Sequence, residues 1–135
     1  QIENVLGDDP RQNVKLVRAA LSTALAAQRA DTQLQSQRLV LQRLACDADM
    51  VLDLHCDAEA ALHMYALPQH WPQWRSLSAH LNVKVGLLAE DSGGSSFDEA
   101  CSLPWLRLSQ AFPEAQIPLA CLATTLELGP CASIA

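Results

Sequence analysis

The sequence predicts an α/β fold: a mixed, mostly parallel sheet covered by helices on both faces. Three observations carry this expectation. A helical stripe of apolar residues opens the chain, the period then changes in a short apolar run, and further strand-like runs alternate with helical stretches downstream. Short apolar runs without strict polar alternation are what a sheet buried on both faces requires.

Residues 1–10 read as a loop, because Gly7, Asp8, Asp9 and Pro10 are turn formers. From Arg11, apolar residues recur at Val14, Val17, Leu21 and Leu25. Ala19, Ala20, Ala24, Ala26 and Ala27 add helix propensity, so a helix is predicted to about Arg29. Asp31 or Thr32 can cap a second helix with Leu34, Leu41 and Leu44 on its buried side; one continuous helix is the alternative. Met50-Val51-Leu52-Asp53-Leu54-His55 then reads as a buried strand.

Residues 60–67 form a candidate strand ended by Pro68, and residues 71–81 a short helix with Pro72 near its first turn. Residues 83–88 fit a strand, and Asp91-Ser92-Gly93-Gly94-Ser95-Ser96 a flexible loop. Residues 97–112 suggest a helix in which Pro104 forces a break or a new start. Residues 119–128 are a second strongly apolar strand, ended by Gly129-Pro130.

The 135 residues suffice for one domain with a core, not two. Half are apolar and only 4% aromatic, so that core is mostly aliphatic. The net charge of −6, with no run of Lys or Arg, argues against a nucleic-acid surface. No apolar stretch approaches the roughly 20 residues that span a bilayer, and no signal-peptide pattern opens the chain. Membrane and nucleic-acid partners are therefore not expected. Cys46, Cys56, Cys101, Cys121 and Cys131 are odd in number and contain no Cys-x-x-Cys pair. They read as reduced, mostly buried thiols of a cytoplasmic protein. The chain opens on Gln1 in a polar segment, which reads as a piece of a longer protein. Its oligomeric state is not legible.

Two sites place a polar residue at the downstream end of an apolar strand, where open α/β sheets collect ligands. In Asp53-Leu54-His55, alternation puts Asp53 and His55 on one face. His55 could offer a ring nitrogen to zinc with Asp53 orienting it, or the two could form a plain buried pair or a solvated strand end. In Thr124-Thr125-Leu126-Glu127-Leu128-Gly129, a carboxylate within an apolar strand is costly to bury unless it is paired or used. Glu127 could move a proton to and from a reacting group, or simply face water on an edge strand.

Tyr65, alternating with His63, could line a cleft or pack on the sheet; His70, Trp71 and Trp74 read as a packing cluster around Pro72. His80 sits late in its helix, at the surface. Cys56 as a nucleophile would need a base held beside it. Gly93-Gly94 lacks the lysine of a phosphate loop. Asp98 and Glu99 fit the first turn of a helix and need no further role.

Together, Val51-Leu52-Asp53-Leu54-His55-Cys56-Asp57, Gly93-Gly94-Ser95-Ser96-Phe97-Asp98-Glu99-Ala100 and Leu126-Glu127-Leu128-Gly129 resemble the succinylglutamate desuccinylase and aspartoacylase branch of the zinc carboxypeptidase superfamily. The resemblance covers about residues 10 to 130. It implies an incomplete zinc carboxypeptidase-like fold, the C-terminal part of a catalytic domain. It implies one zinc ion, with His55 the last of three protein ligands and Glu127 the general base and acid in amide hydrolysis. The substrate it implies is a small N-acyl amino acid or a peptide terminus. The family's other ligands come from a His-x-x-Glu motif, and none of His55, His63, His70 and His80 is followed three residues later by Glu. That motif is expected upstream of Gln1, with weak or no metal binding and no activity for these 135 residues alone. A non-catalytic α/β binding domain is the alternative, and a cysteine-dependent hydrolase a third reading.

Overall fold

The structure, a computed structural model, describes residues 2–56, 61–93 and 96–130. Asp57, Ala60, Gly94, Ser95 and Cys131, which enter the expectations above, lie outside the described residues. The chain forms two compact units, residues 1–49 with 103–121 and residues 50–102 with 122–135.

In the first unit, α1 (Pro10–Ala27) begins where the Asp9 carboxylate accepts from the Arg11 amide at 2.9 Å, with Pro10 in the first turn. The chain leaves helical geometry at Gln28, so there are two helices rather than one. α2 (Gln33–Ala45) opens on a capping box: Thr32 Oγ1 accepts from the Gln35 amide, and the Gln35 side chain accepts from the Thr32 amide, each at 3.2 Å.

The expected buried face of α2 is reversed. Leu34, Leu41 and Leu44 are exposed, and Leu39 is buried. Arg43, one turn on from Leu39, reaches the open carbonyls at the end of α1, donating to Leu25 O at 3.1 and 2.8 Å and to Gln28 O at 3.1 Å. Those carbonyls need donors, and Arg43 supplies them from the same face of α2 as Leu39. Asn13 is fully buried; its amide donates to Gly7 O (2.7 Å) and Ala115 O (2.8 Å) and accepts from the Gly7 amide (3.0 Å).

The second unit holds a four-stranded sheet: β1 (Met50–His55), β2 (His63–Ala66), β3 (Val85–Leu88) and β4 (Leu122–Glu127). The order is β1-β4-β2-β3, with β1·β4 and β2·β3 parallel and β2·β4 antiparallel. The expected mixed, mostly parallel α/β sheet is therefore present. β4 is its central, buried strand, with Ala123, Thr124, Thr125 and Leu126 all inside. β1 is not the buried strand expected of it. Among the described residues it is an edge, paired with β4 alone, and Met50, Leu52 and Leu54 are exposed while Val51 is buried.

One face of the sheet carries Met64, Ala66 and Leu126 and packs on Trp74 of α3 (Trp71–His80), with Trp71, Leu77 and Val83 around it. Gly86 of β3 lies under the Trp71 ring so closely that a Cβ there would come within 2.6 Å of it. His70 and Trp74 are buried, as the packing-cluster reading expects, and their ring nitrogens have no hydrogen-bond partner. The other face carries Asp53, His55, His63, Tyr65, Thr125 and Glu127, because strand side chains alternate.

α4 (Phe97–Ala111) runs through Pro104 without ending, against expectation. A proline inside a helix costs about 3 kcal/mol; Ser102, Trp105 and Leu106 around it are buried. Among the four described cysteines only Cys121 is buried. Cys56 is exposed and Cys46 and Cys101 are half-buried, so the expectation of mostly buried thiols does not hold. Among the described residues, no helix is long and apolar enough to cross a membrane.

Candidate active site

Parallel pairing of β1 with β4 puts His55 directly opposite Glu127, and antiparallel pairing of β4 with β2 puts Glu127 opposite His63. The three side chains form one row across the sheet. Asp53, Thr125 and Tyr65 form the next row, on the same face.

His55 stands between two carboxylates. Its Nδ1 lies 3.2 Å from Glu127 Oε1, and its Nε2 lies 3.0 Å from Asp53 Oδ2. Carboxylates only accept, so a neutral ring donates to one of them and turns a lone pair to the other. The His55 side chain is 48% exposed and the Glu127 side chain 15%. Glu127 Oε2 is buried with no partner. His63 is held apart from this network. Its Nδ1 donates to Ala61 O at 2.8 Å, leaving Nε2 to accept from the Tyr65 hydroxyl at 3.3 Å.

Beside the row lies a cavity of about 290 Å³. Its sheet wall includes His55, Tyr65, Thr125 and Glu127, and its apolar side includes Leu67, Leu87 and Ala89. The first turns of α4 close it with Asp98, Glu99 and Ser102. Asp98 and Glu99 do lie in the first turn of a helix, as read, and they are also buried against the cavity, which that reading did not include. A signal was present: Asp98, Ser102 and Trp105 are spaced four and three apart, the spacing of one helix face, and Trp105 is buried.

Of the sequence-nominated residues, His55, Glu127, Asp53 and Tyr65 all reach this face, and the first three are bonded together. His70 is buried and does not line the cavity, and His80 is exposed at the end of α3. Cys56 follows the strand end and does not line the cavity.

Nine-tenths of the chain superposes on a solved structure from Shewanella amazonensis with TM-score 0.70 and 30% sequence identity. The chain resembles succinylglutamate desuccinylase/aspartoacylase family proteins. That is the family to which the Shewanella amazonensis protein is assigned. A second protein of the same assignment, from Shewanella frigidimarina, matches 88% of the chain with TM-score 0.68 and 25% identity. The chain spans only about a third of either, 34% and 32%. No protein-family model and no curated protein matches it.

The family resemblance implies zinc, and the donors present can be tested against it. His55 is a suitable nitrogen ligand, but Asp53 and Glu127 bond to its ring. Among the described residues, no group of three or more His, Cys, Asp or Glu could hold a metal ion. Catalytic zinc sites use three protein ligands. The residues present supply one ligand and do not by themselves fit the ion.

Proposed function

We propose that this chain supplies the His55–Glu127 part of the active site of an amide hydrolase of the desuccinylase and aspartoacylase type, acting on small N-acyl amino acids or peptide termini. The carrying observation is the Glu127 carboxylate, held 3.2 Å from His55 with its second oxygen buried and unpartnered beside a small cavity. A buried acceptor without a partner costs about 1–3 kcal/mol, so it is retained where it is used.

In this reading the carboxylate of Glu127 takes a proton from the attacking water as its oxygen bonds to the amide carbon. It returns that proton to the nitrogen as the C–N bond breaks, leaving a carboxylate and a free amine. Asp53 is a positioning residue: by accepting from Nε2–H it fixes the tautomer that turns the His55 Nδ1 lone pair to the Glu127 side. His55 would be the zinc ligand that this chain contributes. Zinc, when bound, supplies Lewis-acid polarisation of the carbonyl and of water.

The test uses a full-length protein containing this segment. Glu127→Gln lowers kcat by about 10²- to 10⁴-fold at unchanged zinc content, and His55→Ala loses the zinc. Undiminished hydrolysis in Glu127→Gln would remove Glu127 from the chemistry, and no hydrolysis by the parent protein would favour a non-catalytic α/β binding domain instead. Tight stoichiometric zinc binding by these 135 residues alone would refute the single-ligand assignment.

A further inference from the structure

We infer that the cavity beside His55 and Glu127 seats a protonated primary amine of the substrate, received by Glu99 and Thr125. The inference rests on the hydrolase reading and specifies its substrate class. The cavity is lined by Asp98, Glu99 and Glu127, and among the described residues no Lys or Arg lines it. An anionic tail would meet like charge there.

The internal bonds of the site account for some polar groups and leave others open. The Ser96 hydroxyl donates to Asp98 Oδ1, and the Ser102 hydroxyl donates to Asp98 O at 2.8 Å. Glu99 Oε1 accepts from the Ser92 amide at 2.6 Å. Three atoms remain buried and unpartnered: Glu99 Oε2, Thr125 Oγ1 and Glu127 Oε2. Glu99 and Thr125 are only 7% and 5% exposed. Both carboxylate oxygens are acceptors, so a complementary ligand brings donors.

An ammonium supplies three donors and the matching charge in one small group. Glu127 Oε2 is left for the reacting amide. Leu67, Leu87 and Ala89 provide an apolar wall for a short alkyl chain. The cavity of about 290 Å³ holds a small molecule. The substrate that fits is an acylated diamine, or an acylated amino acid with a basic side chain.

The chain is titrated at pH 7 with n-butylammonium, butyrate and butyramide, followed by amide NMR signals. Butylammonium alone should shift Glu99 and Thr125 saturably. Glu99→Gln should weaken it by about tenfold, the loss of one charge-assisted hydrogen bond. That substitution keeps an oxygen to accept from the Ser92 amide, so the loop remains held. Thr125→Val, close in shape, should weaken binding by a few-fold. Equal binding of butyrate or butyramide, or indifference to Glu99→Gln, overturns the inference.

In a full-length protein, an N-acyl diamine should be cleaved at least about tenfold better in kcat/KM than the same amide without its ammonium. Glu99→Gln should erase that preference. Hydrolysis without preference sinks the amine site and leaves the hydrolase reading standing. No hydrolysis of either sinks the hydrolase reading, and the butylammonium titration still decides the amine site.

Discussion

His55 and Glu127 face each other across parallel strands, seventy-two positions apart in the chain, with Nδ1 3.2 Å from Oε1. On the other side of the ring, Asp53 Oδ2 lies 3.0 Å from Nε2. A carboxylate thus stands at each ring nitrogen, one from β1 and one from β4, and a neutral ring donates to one of them.

Asp53→Asn tests the contact at Nε2. The amide cannot hold Nε2–H as firmly as a carboxylate does. In a full-length protein, zinc affinity or kcat should fall by about 10- to 100-fold. In this chain, ¹⁵N shifts of the His55 ring should report a changed tautomer balance, a readout that a purely structural Asp53 would not move.

Gly86→Ala tests the contact between β3 and α3. The new methyl would meet the Trp71 ring at 2.6 Å, too close for van der Waals contact. Overpacking of this kind costs about 1–3 kcal/mol, read as a lower urea midpoint. Trp71→Leu in the same chain should recover most of the loss; additive effects in the double mutant would disprove the contact.

His70 predicts an acid-sensitive stability. Burial lowers its pKa from 6.5, so the fold holds the ring neutral while the unfolded chain can protonate it. The unfolded state then binds more protons as pH falls. Stability is complete above about pH 6.5 and declines below it, by at most about 1.4 kcal/mol per pH unit for this one group. Urea midpoints between pH 7.5 and 5.5 should fall in the parent and flatten in His70→Leu.

Cysteine labelling should follow burial. Burial pushes the Cys121 thiol up to about 11, so almost no thiolate exists at pH 8. Cys56 is exposed. Iodoacetamide with peptide mapping should modify Cys56 first and Cys121 last, and early labelling of Cys121 would contradict its burial.

The two-residue alternation of a strand and the three-to-four-residue period of a helix are local, and local patterns were legible. They placed α1, α3, β1 and β4 and set Asp53 and His55 on one strand face before any fold was known. They could not say that β4 inserts between β1 and β2, because strand order depends on which distant segments pair. That order alone sets Glu127 opposite both His55 and His63. It also makes β1 an edge with exposed Leu52 and Leu54, where an apolar run alone suggested a buried strand. Burial of Asp98 and Glu99 was decided the same way: helix spacing puts Asp98 on the face shared with Ser102 and Trp105, with Glu99 beside it, but only packing determines that this face is closed. The chain's own residues thus dictated the elements and the chemistry available, and long-range pairing decided which of those groups meet, since hydrogen bonds and burial between distant segments exist only once the sheet has formed.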